Sequence, residues 1–204
     1  MIGFCVPTLN EAENLLREAE NLNPGDWIQH SIYTAEASKL IASNCPTLNP
    51  ETAYILGLLH DIGRRFGVTS MRHSIDGYNF AMSKGYPLLA QICLTHSHPL
   101  KLIDEAFGVW DCSTEEYKFV EDFLKSTKYD DYDKLIQLCD ALALPSGFCL
   151  IEKRLMDVAL RHGIHKYALE KWKATFKLKE YFEKMIGKSI YTLLPGVIEN
   201  TFEL

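Results

Sequence analysis

Apolar side chains recur at intervals of three and four along most of the chain, between short breaks rich in Pro, Gly and Asn. This spacing predicts amphipathic helices, because positions three and four apart share one face of an α-helix. The helices are expected at about 8–20, 27–43, 50–59, 71–83, 88–95, 113–125, 131–144, 150–161 and 165–186. Alternating apolar and polar runs bounded by hairpin turns do not stand out. The pattern therefore predicts an all-α fold.

Two helix starts are marked by capping residues as well as by periodicity. Thr8 and Glu11 have the spacing of a capping box, and Asn49 precedes Pro50 and Glu51 at the third helix. The third helix is apolar on every side through residue 59, which predicts that it is buried. The letters HDIG follow it directly, so a histidine and a carboxylate are expected at the end of a buried helix.

The length of the chain, 204 residues, suits one domain with a modest C-terminal extension. We expect a single all-α domain over residues 1–204, with a core at about 27–145 and C-terminal helices at about 150–187. The tail after residue 189 is short and is interrupted by Pro and Gly. The C-terminal helices could cover a pocket or pair with another copy as a homodimer, and the sequence leaves both open.

The net charge and the cysteine pattern limit which classes of binding partner and which cellular compartment are expected. The net charge is −6, which is unfavourable for a duplex of nucleic acid, since such binding needs a basic surface. The six cysteines form no C-x-x-C pair, which favours reduced thiols. The N-terminus lacks the pattern of a signal peptide, and no apolar run approaches the ~20 residues of a membrane span. We expect a soluble cytoplasmic protein without a membrane partner.

The pair His60-Asp61 is the first candidate for chemistry. A charged carboxylate at the end of a buried helix is costly unless a positive group meets it. The partial negative charge of the helix C-terminus adds to this cost and favours a bound cation. A metal ion would satisfy both, although a hydrogen-bonded helix cap is the alternative for an isolated pair.

A second carboxylate, Asp140, lies in the largely apolar segment 135–144. Such a group pairs with a cation, binds a metal or takes up a proton. Its pairing with an arginine such as Arg154 and its ligation of a metal are both open.

Several histidines lie at predicted helix ends or one turn inside them. Each alone is expected to be a core or surface imidazole, but imidazoles and carboxylates together suit Zn, Mn, Fe or Ni. The candidates in the first half of the chain are His30, His60, His73, His96 and His98. The other two, His162 and His165, flank a helix break and are interpreted as capping and loop residues.

The order His30, His60-Asp61, Asp140 resembles the H…HD…D signature of the HD domain superfamily, over about residues 27–145. The run GLLHDIG at 57–63 matches its central motif closely. In addition, His73 and His96 look like the insertion of dinuclear members, such as the diadenosine tetraphosphate hydrolases of the YqeK type. The resemblance implies a helical bundle and a metal-dependent phosphohydrolase, in which a metal-bound hydroxide attacks phosphorus.

The resemblance also implies a ligand set for one or two divalent ions of Fe, Mn, Ni or Zn. The ligands of the first ion would be His30, His60, Asp61 and Asp140. The second ion would share Asp61 and be bound by His73 and His96, with His98 as a candidate third ligand.

The residue after the motif glycine differs from the Lys found in many members: it is Arg64, followed by Arg65. Arginine can clamp a phosphate with two hydrogen bonds but donates protons poorly. The resemblance therefore favours His60, Asp61 and Arg64 as catalytic residues. Candidates for substrate binding are Arg64, Arg65, Lys101 and Arg154.

The cyclic-di-GMP phosphodiesterase branch is disfavoured, because its paired late histidines are split here and the triplet Gly85–Pro87 precedes His96 instead of following it. We expect hydrolysis of a phosphomonoester or phosphoanhydride in a small nucleotide-like molecule. Two alternatives use the same ligands: a mixed-valent di-iron oxygenase, and a non-catalytic regulatory module that binds a nucleotide.

Overall fold

The computed structural model describes residues 5–204 of the chain, and helices account for most of them. The α-helices of these residues are α1 (Leu9–Leu22), α2 (Trp27–Ala42), α3 (Pro50–Leu59), α4 (Arg72–Ser83), α5 (Pro87–Thr95), α6 (Thr114–Ser126), α7 (Asp131–Asp140), α8 (Ile151–His162), α9 (Ala168–Ile186) and α10 (Val197–Phe202). Short 3-10 helices lie at Ile62–Phe66, Ile103–Glu105 and Ile190–Leu193. The predicted all-α class is confirmed.

Helix starts follow the capping residues in the sequence. Thr8 accepts a hydrogen bond from the amide of Glu11, whose carboxylate in turn accepts from the amide of Thr8. The side chain of Asn49 accepts from the amide of Thr52, and Pro50 occupies the first position of α3. These contacts satisfy amides that have no partner within a helix, so the sequence fixes both starts.

The seventh helix is shorter than the periodicity predicts. It ends at Asp140, and the predicted extension to residue 144 is wrong, because β1 (Ala143–Leu144) pairs antiparallel with β2 (Gly147–Phe148). Apolar residues are continuous across this end, and all of Leu142, Ala143 and Leu144 are buried. Burial of this kind suits a helix and a buried strand equally, so the apolar pattern does not mark the change.

The tail folds back onto this hairpin. In helix α10, the side-chain Nδ2 of Asn200 donates to the carbonyl oxygen of Phe148 at 2.9 Å, and the same side chain packs beside Gly147. Gly147 has a φ of 146°, a conformation that favours glycine. The tail therefore closes the hairpin that follows α7.

Two glycines set how closely the central helices approach. A Cβ on Gly57 of α3 would lie 2.8 Å from the Cα of Ala35 on α2, and one on Gly63 would lie 1.9 Å from the carbonyl oxygen of His73 on α4. Only glycine allows these contacts without a shift of backbone. They hold the end of α3 against α2 on one side and against α4 on the other.

Among residues 5–204, no helix has both the length and the apolar character needed to cross a membrane. The core lies mainly between α2, α3, α5 and α7, and its members are almost completely shielded from solvent. Helix α9 packs on the outside of α7. The ends of α3, α5 and α7 meet at one side of this core.

Candidate metal centre

Four imidazoles and two carboxylates meet where these helix ends come together. The helices supply His30 early in α2, His60 and Asp61 just after α3, His73 at the start of α4, His96 just after α5, and Asp140 at the end of α7. Their nitrogen and oxygen atoms form three groups, each with all atoms within 4.8 Å: His30, His60 and Asp61; His60, His96 and Asp140; Asp61, His73 and His96. The buried His/Asp cluster can hold a metal ion.

Each of the four imidazoles is fixed by a backbone carbonyl. The Nδ1 of His30 lies 3.1 Å from the oxygen of Ala143, that of His60 2.7 Å from Gly57, and that of His96 3.2 Å from Ile92. The Nδ1 of His73 bonds the oxygen of Ser70 in the same way. A carbonyl only accepts, so each Nδ1 carries the proton and each Nε2 is left with a lone pair for a metal. Such outer hydrogen bonds orient metal-binding histidines in proteins.

The hairpin that shortens α7 has a role in this orientation, since the carbonyl that receives His30 belongs to Ala143 in β1. A helix continued through residue 144 would direct that carbonyl along its own axis. The departure from the predicted helix is therefore tied to the position of a candidate ligand.

Asp61 divides its two oxygens between different partners. Its Oδ2 accepts from the Nε of Arg64 at 2.6 Å. Its Oδ1 lies 3.1 Å from the Nε2 of His73 and 3.5 Å from that of His96, yet makes no hydrogen bond of acceptable geometry. A buried carboxylate oxygen without a donor is costly, and a cation between these three atoms would remove that cost. The residues present therefore fit a metal ion.

The charge of Asp61 also suits a ligand. Burial opposes its ionisation, but the positive charge of Arg64 and the neighbouring His73 and His60 outweigh burial and hold the pKa well below its usual range. The carboxylate is therefore anionic at neutral pH, which is the form that binds cations.

Asp140 both pairs with Arg154 and belongs to a candidate metal-ligand group, the two alternatives that the sequence leaves open. Its Oδ1 lies 3.0 Å from the Nε2 of His30 and 3.2 Å from an Nη2 of Arg154, and the same side chain belongs to a ligand group. Burial again opposes ionisation, but the contact with the His30 side chain and the charge of Arg154 keep the pKa well below its usual range.

Burial has the opposite effect on the imidazoles. It lowers the pKa of His30, and it lowers the pKa of His96 to about 3. Both side chains are therefore neutral at pH 7, as a metal ligand must be.

The structure does not bring His98 into any of the ligand groups found among residues 5–204. The amide of His98 donates to the oxygen of Thr95, and this turn directs the chain away from the cluster after His96. The His98 ring stacks on Trp110, and its Nδ1 lies 3.0 Å from the oxygen of Leu102. Its Nε2 is buried and has no partner among the described residues.

Two of the four predicted phosphate-binding cations line the cavity beside the cluster, namely Arg64 and Arg154. The other two are directed elsewhere. Arg65 lies 3.5 Å from Glu18 and packs over the ring of Phe80, and the Nζ of Lys101 donates to the oxygen of Thr127. Neither Arg65 nor Lys101 lines the cavity among the described residues.

The cavity has a volume of about 150 Å³ and includes residues from the C-terminal helices. Helix α8 supplies Arg154, Arg161 and His162, and helix α9 supplies Lys171. Arg161 and Lys171 were not predicted, because each lies in an ordinary run of charged residues that carries no specific signal. His162, interpreted as a capping residue, is the last residue of α8 and also faces this cavity.

A family model of the HD domain matches residues 27–144. The chain belongs to the HD domain family. The matched range agrees with the predicted core and contains every member of the ligand cluster. Searches of curated proteins and of solved structures gave no significant match.

Members of the HD domain family are typically metal-dependent phosphohydrolases. The family match ends before α8 and α9, so the cations from these helices lie outside the matched region. Both the site and the family indicate a metal-dependent hydrolase.

Proposed function

We propose that this chain is a metal-dependent phosphohydrolase that acts on a phosphomonoester or phosphoanhydride of a small nucleotide-like molecule. The observation that carries this proposal is the set of four imidazoles whose Nδ1 atoms are held by backbone carbonyls, with two anionic carboxylates among their Nε2 atoms. Hydrogen bonds of this kind fix the tautomer and the ring orientation of histidines that bind metals.

The ligand atoms divide naturally into two neighbouring sites. One ion would be held by His30, His60, Asp61 and Asp140, and a second by Asp61, His73 and His96. Asp61 would be shared, since its two oxygens face different sides. Divalent ions in such a site lower the pKa of bound water and neutralise charge on phosphoryl oxygens.

The side chains of the protein supply the binding of the substrate. Arg64 holds Asp61 through its Nε, and its Nη2 lies 3.5 Å from the Nε2 of His73, so its Nη1 is the nitrogen that would bind a phosphoryl oxygen in the cavity. Arg154, which also lines the cavity, donates from Nη2 to the Oδ1 of Asp140, from Nε to the main-chain oxygen of the same residue, and from Nη1 to Asp157. Each arginine thus joins a ligand carboxylate to the wall that faces the substrate, so binding of the substrate and the position of the ligand depend on each other.

The overall charge supports a small phosphorylated partner over a nucleic acid duplex. The net charge is −6, while Arg64, Arg154 and Lys171 line the cavity. Local cations of this kind bind a small anion, whereas a duplex needs an extended basic surface.

The test is elemental analysis of the purified protein, followed by a screen of phosphomonoesters and nucleotides with the metal that is found. We expect one or two transition-metal ions for each chain and release of inorganic phosphate from at least one compound. Oxygen consumption with the paramagnetic resonance signal of a mixed-valent iron pair would instead favour an oxygenase. Tight binding of a nucleotide without turnover would favour a regulatory module.

A further inference from the structure

The ammonium group of Lys171 lies in the wall of the cavity, on helix α9 and therefore outside the region that matches the family. Its Nζ donates to the carbonyl oxygens of Ser97, at 2.8 Å, and Glu105, at 3.3 Å. An ammonium group has three N–H donors, so one remains. The two carbonyls hold Nζ in place, and one of them belongs to Ser97, the residue that follows the candidate ligand His96.

The charge of Lys171 is not matched by a direct ion pair. Within the described part of the chain, no carboxylate oxygen lies within 4.0 Å of its Nζ. The carboxylate of Glu105 is turned away and accepts from the amides of Leu100 and Leu102 instead. Burial lowers the pKa of Lys171, and the carboxylates of Glu105 and Asp140 oppose this shift only from beyond that distance.

The other cations of the cavity differ in this respect. Arg64 pairs with Asp61 at 2.6 Å, and Arg154 with Asp140 at 3.2 Å. Arg161 pairs with Asp157 at 2.7 Å. A partly buried cation without a directly paired anion carries a desolvation cost that an anion bound in the cavity would reduce. Among the described residues, Lys171 is thus the wall lysine or arginine that has no ion pair within 4.0 Å, and it keeps one N–H donor.

We propose that Lys171 binds a non-bridging oxygen of the terminal phosphoryl group of the substrate, so that helix α9 completes the site. This inference rests on the proposed phosphohydrolase function. A lysine is a compact point charge, and here the two carbonyl contacts have already fixed it, which lowers the entropy lost when an anion binds.

The size of the cavity indicates a terminal group. Its volume of about 150 Å³ is below the ~300–1,000 Å³ of pockets that enclose whole drug-sized ligands. A phosphoryl group fits such a space. A neighbouring opening of about 370 Å³ shares Asp61 and Arg64 with the cavity and would receive the rest of the molecule. This arrangement suits a monoester or the end of a phosphoanhydride chain.

The test measures binding of inorganic phosphate to the metal-loaded full chain by calorimetry. Lys171→Met removes the charge, and Lys171→Gln removes it while keeping donors for the two carbonyls. Both are expected to weaken phosphate binding by about tenfold to a hundredfold, the size of one charge-assisted hydrogen bond. Metal content should stay unchanged. The matched control is Lys173→Met, which removes the same charge from the exposed face of α9.

A purely structural role for Lys171 makes a different prediction. It would lower the melting temperature of the variants without phosphate but leave the increase caused by added phosphate unchanged. We expect that increase to be lost in both Lys171 variants and kept in Lys173→Met.

Several results would overturn the assignment: phosphate affinity within twofold of wild type in both Lys171 variants, equal weakening in Lys173→Met, or no phosphate binding by the wild-type protein. The proposed function fails separately. If phosphate binding depends on Lys171 but the protein has no hydrolase activity, the anion site stands and the proposed function is wrong. If Lys171→Gln hydrolyses the substrate with an unchanged KM, the proposed function stands and the role of Lys171 is wrong.

Discussion

The Nε2 of His73, in α4, lies 3.1 Å from the Oδ1 of Asp61, which follows the end of α3. The opposite oxygen of Asp61 is held by Arg64. The carboxylate therefore presents one face to imidazoles and the other to a cation that also lines the cavity. Oδ2 also lies 4.0 Å from the Nε2 of His60, so the two oxygens lie beside different candidate ligands, as a carboxylate shared by two ions requires.

Substitution of Asp61 by Asn tests the centre most directly. Asn keeps the shape of the side chain but removes the charge and one acceptor, so we expect metal content to fall sharply and turnover to drop by about a hundredfold or more. Elemental analysis and initial rates measure this. Asp122→Asn, an exposed change on α6, is the control. Wild-type metal content in Asp61→Asn would show that this carboxylate is not a ligand.

The number of ions is tested by a pair of histidine variants. His73→Gln removes a ligand of the second site, so we expect it to lower the metal content by about one ion per chain if two are bound in the wild type. His98→Gln should leave metal content unchanged, because the imidazole contacts Leu102 and Trp110 and lies outside the ligand groups. It should instead cost about 1–3 kcal/mol of stability, the usual loss for a disrupted buried polar contact. Loss of metal in His98→Gln would restore it as a ligand.

The helices and the order of the ligands follow from sequence alone because both are local signals. Periodicity and caps define α1 and α3, and the run GLLHDIG identifies the family before any contact is known. Each candidate ligand in the cluster also lies near a helix end, where side chains of several helices can meet.

The remaining features depend on contacts between distant parts of the chain. The side chain of Arg65 points towards Glu18, whereas that of Arg64 points into the cavity. Periodicity does not predict this difference, because the two arginines are neighbours in a short 3-10 helix. Lys171 lies 75 positions after His96 and reaches the cavity only because α9 packs across α7. From the sequence, Asp140 could bind a metal or Arg154, and only the folded chain shows that it contacts both Arg154 and the candidate ligand His30.

The pH dependence of stability is expected to report on Glu105. Burial raises the pKa of this carboxyl to about 7, although Lys171 and the backbone amides of Leu100 and Leu102 oppose the shift. Between pH 4.5, the value for an unshifted group, and pH 7 the folded state keeps a proton that the unfolded state has lost. Glu105 therefore makes stability fall as pH rises through this window and contributes no further change above it.

Urea unfolding of the metal-free protein at pH 5 and pH 8 measures this effect, with Glu105→Gln as the comparison. Buried histidines such as His98, whose pKa is lowered to about 3 by burial, make stability rise with pH over part of the same range. The difference between the two proteins isolates Glu105. The decline attributed to Glu105 should be about 3 kcal/mol at most and absent from the variant. Parallel curves for wild type and variant would contradict it.

Gly63 is expected to link the packing of the core to the metal site. A Cβ at this position would lie 1.9 Å from the carbonyl oxygen of His73 and 2.4 Å from the amide of Gly77, so the segment after Asp61 would have to move away from α4. Overpacking of this kind costs about 1–3 kcal/mol, occasionally more. Gly63→Ala should therefore lower stability and also weaken metal binding, because the distance between Asp61 and His73 depends on this approach.

The control for Gly63→Ala is Gly25→Ala, where an added Cβ would meet only the side chain of Trp27 at 3.3 Å. Chemical denaturation and titration with the bound metal measure the two effects separately. Reduced stability with unchanged metal affinity would mean that the distance between Asp61 and His73 is kept when the two helices move apart. The close approach at Gly63 would then matter only for the packing of the core. A joint loss would mean that the glycine of the motif is needed because it lets two helices bring a carboxylate and an imidazole to one ion.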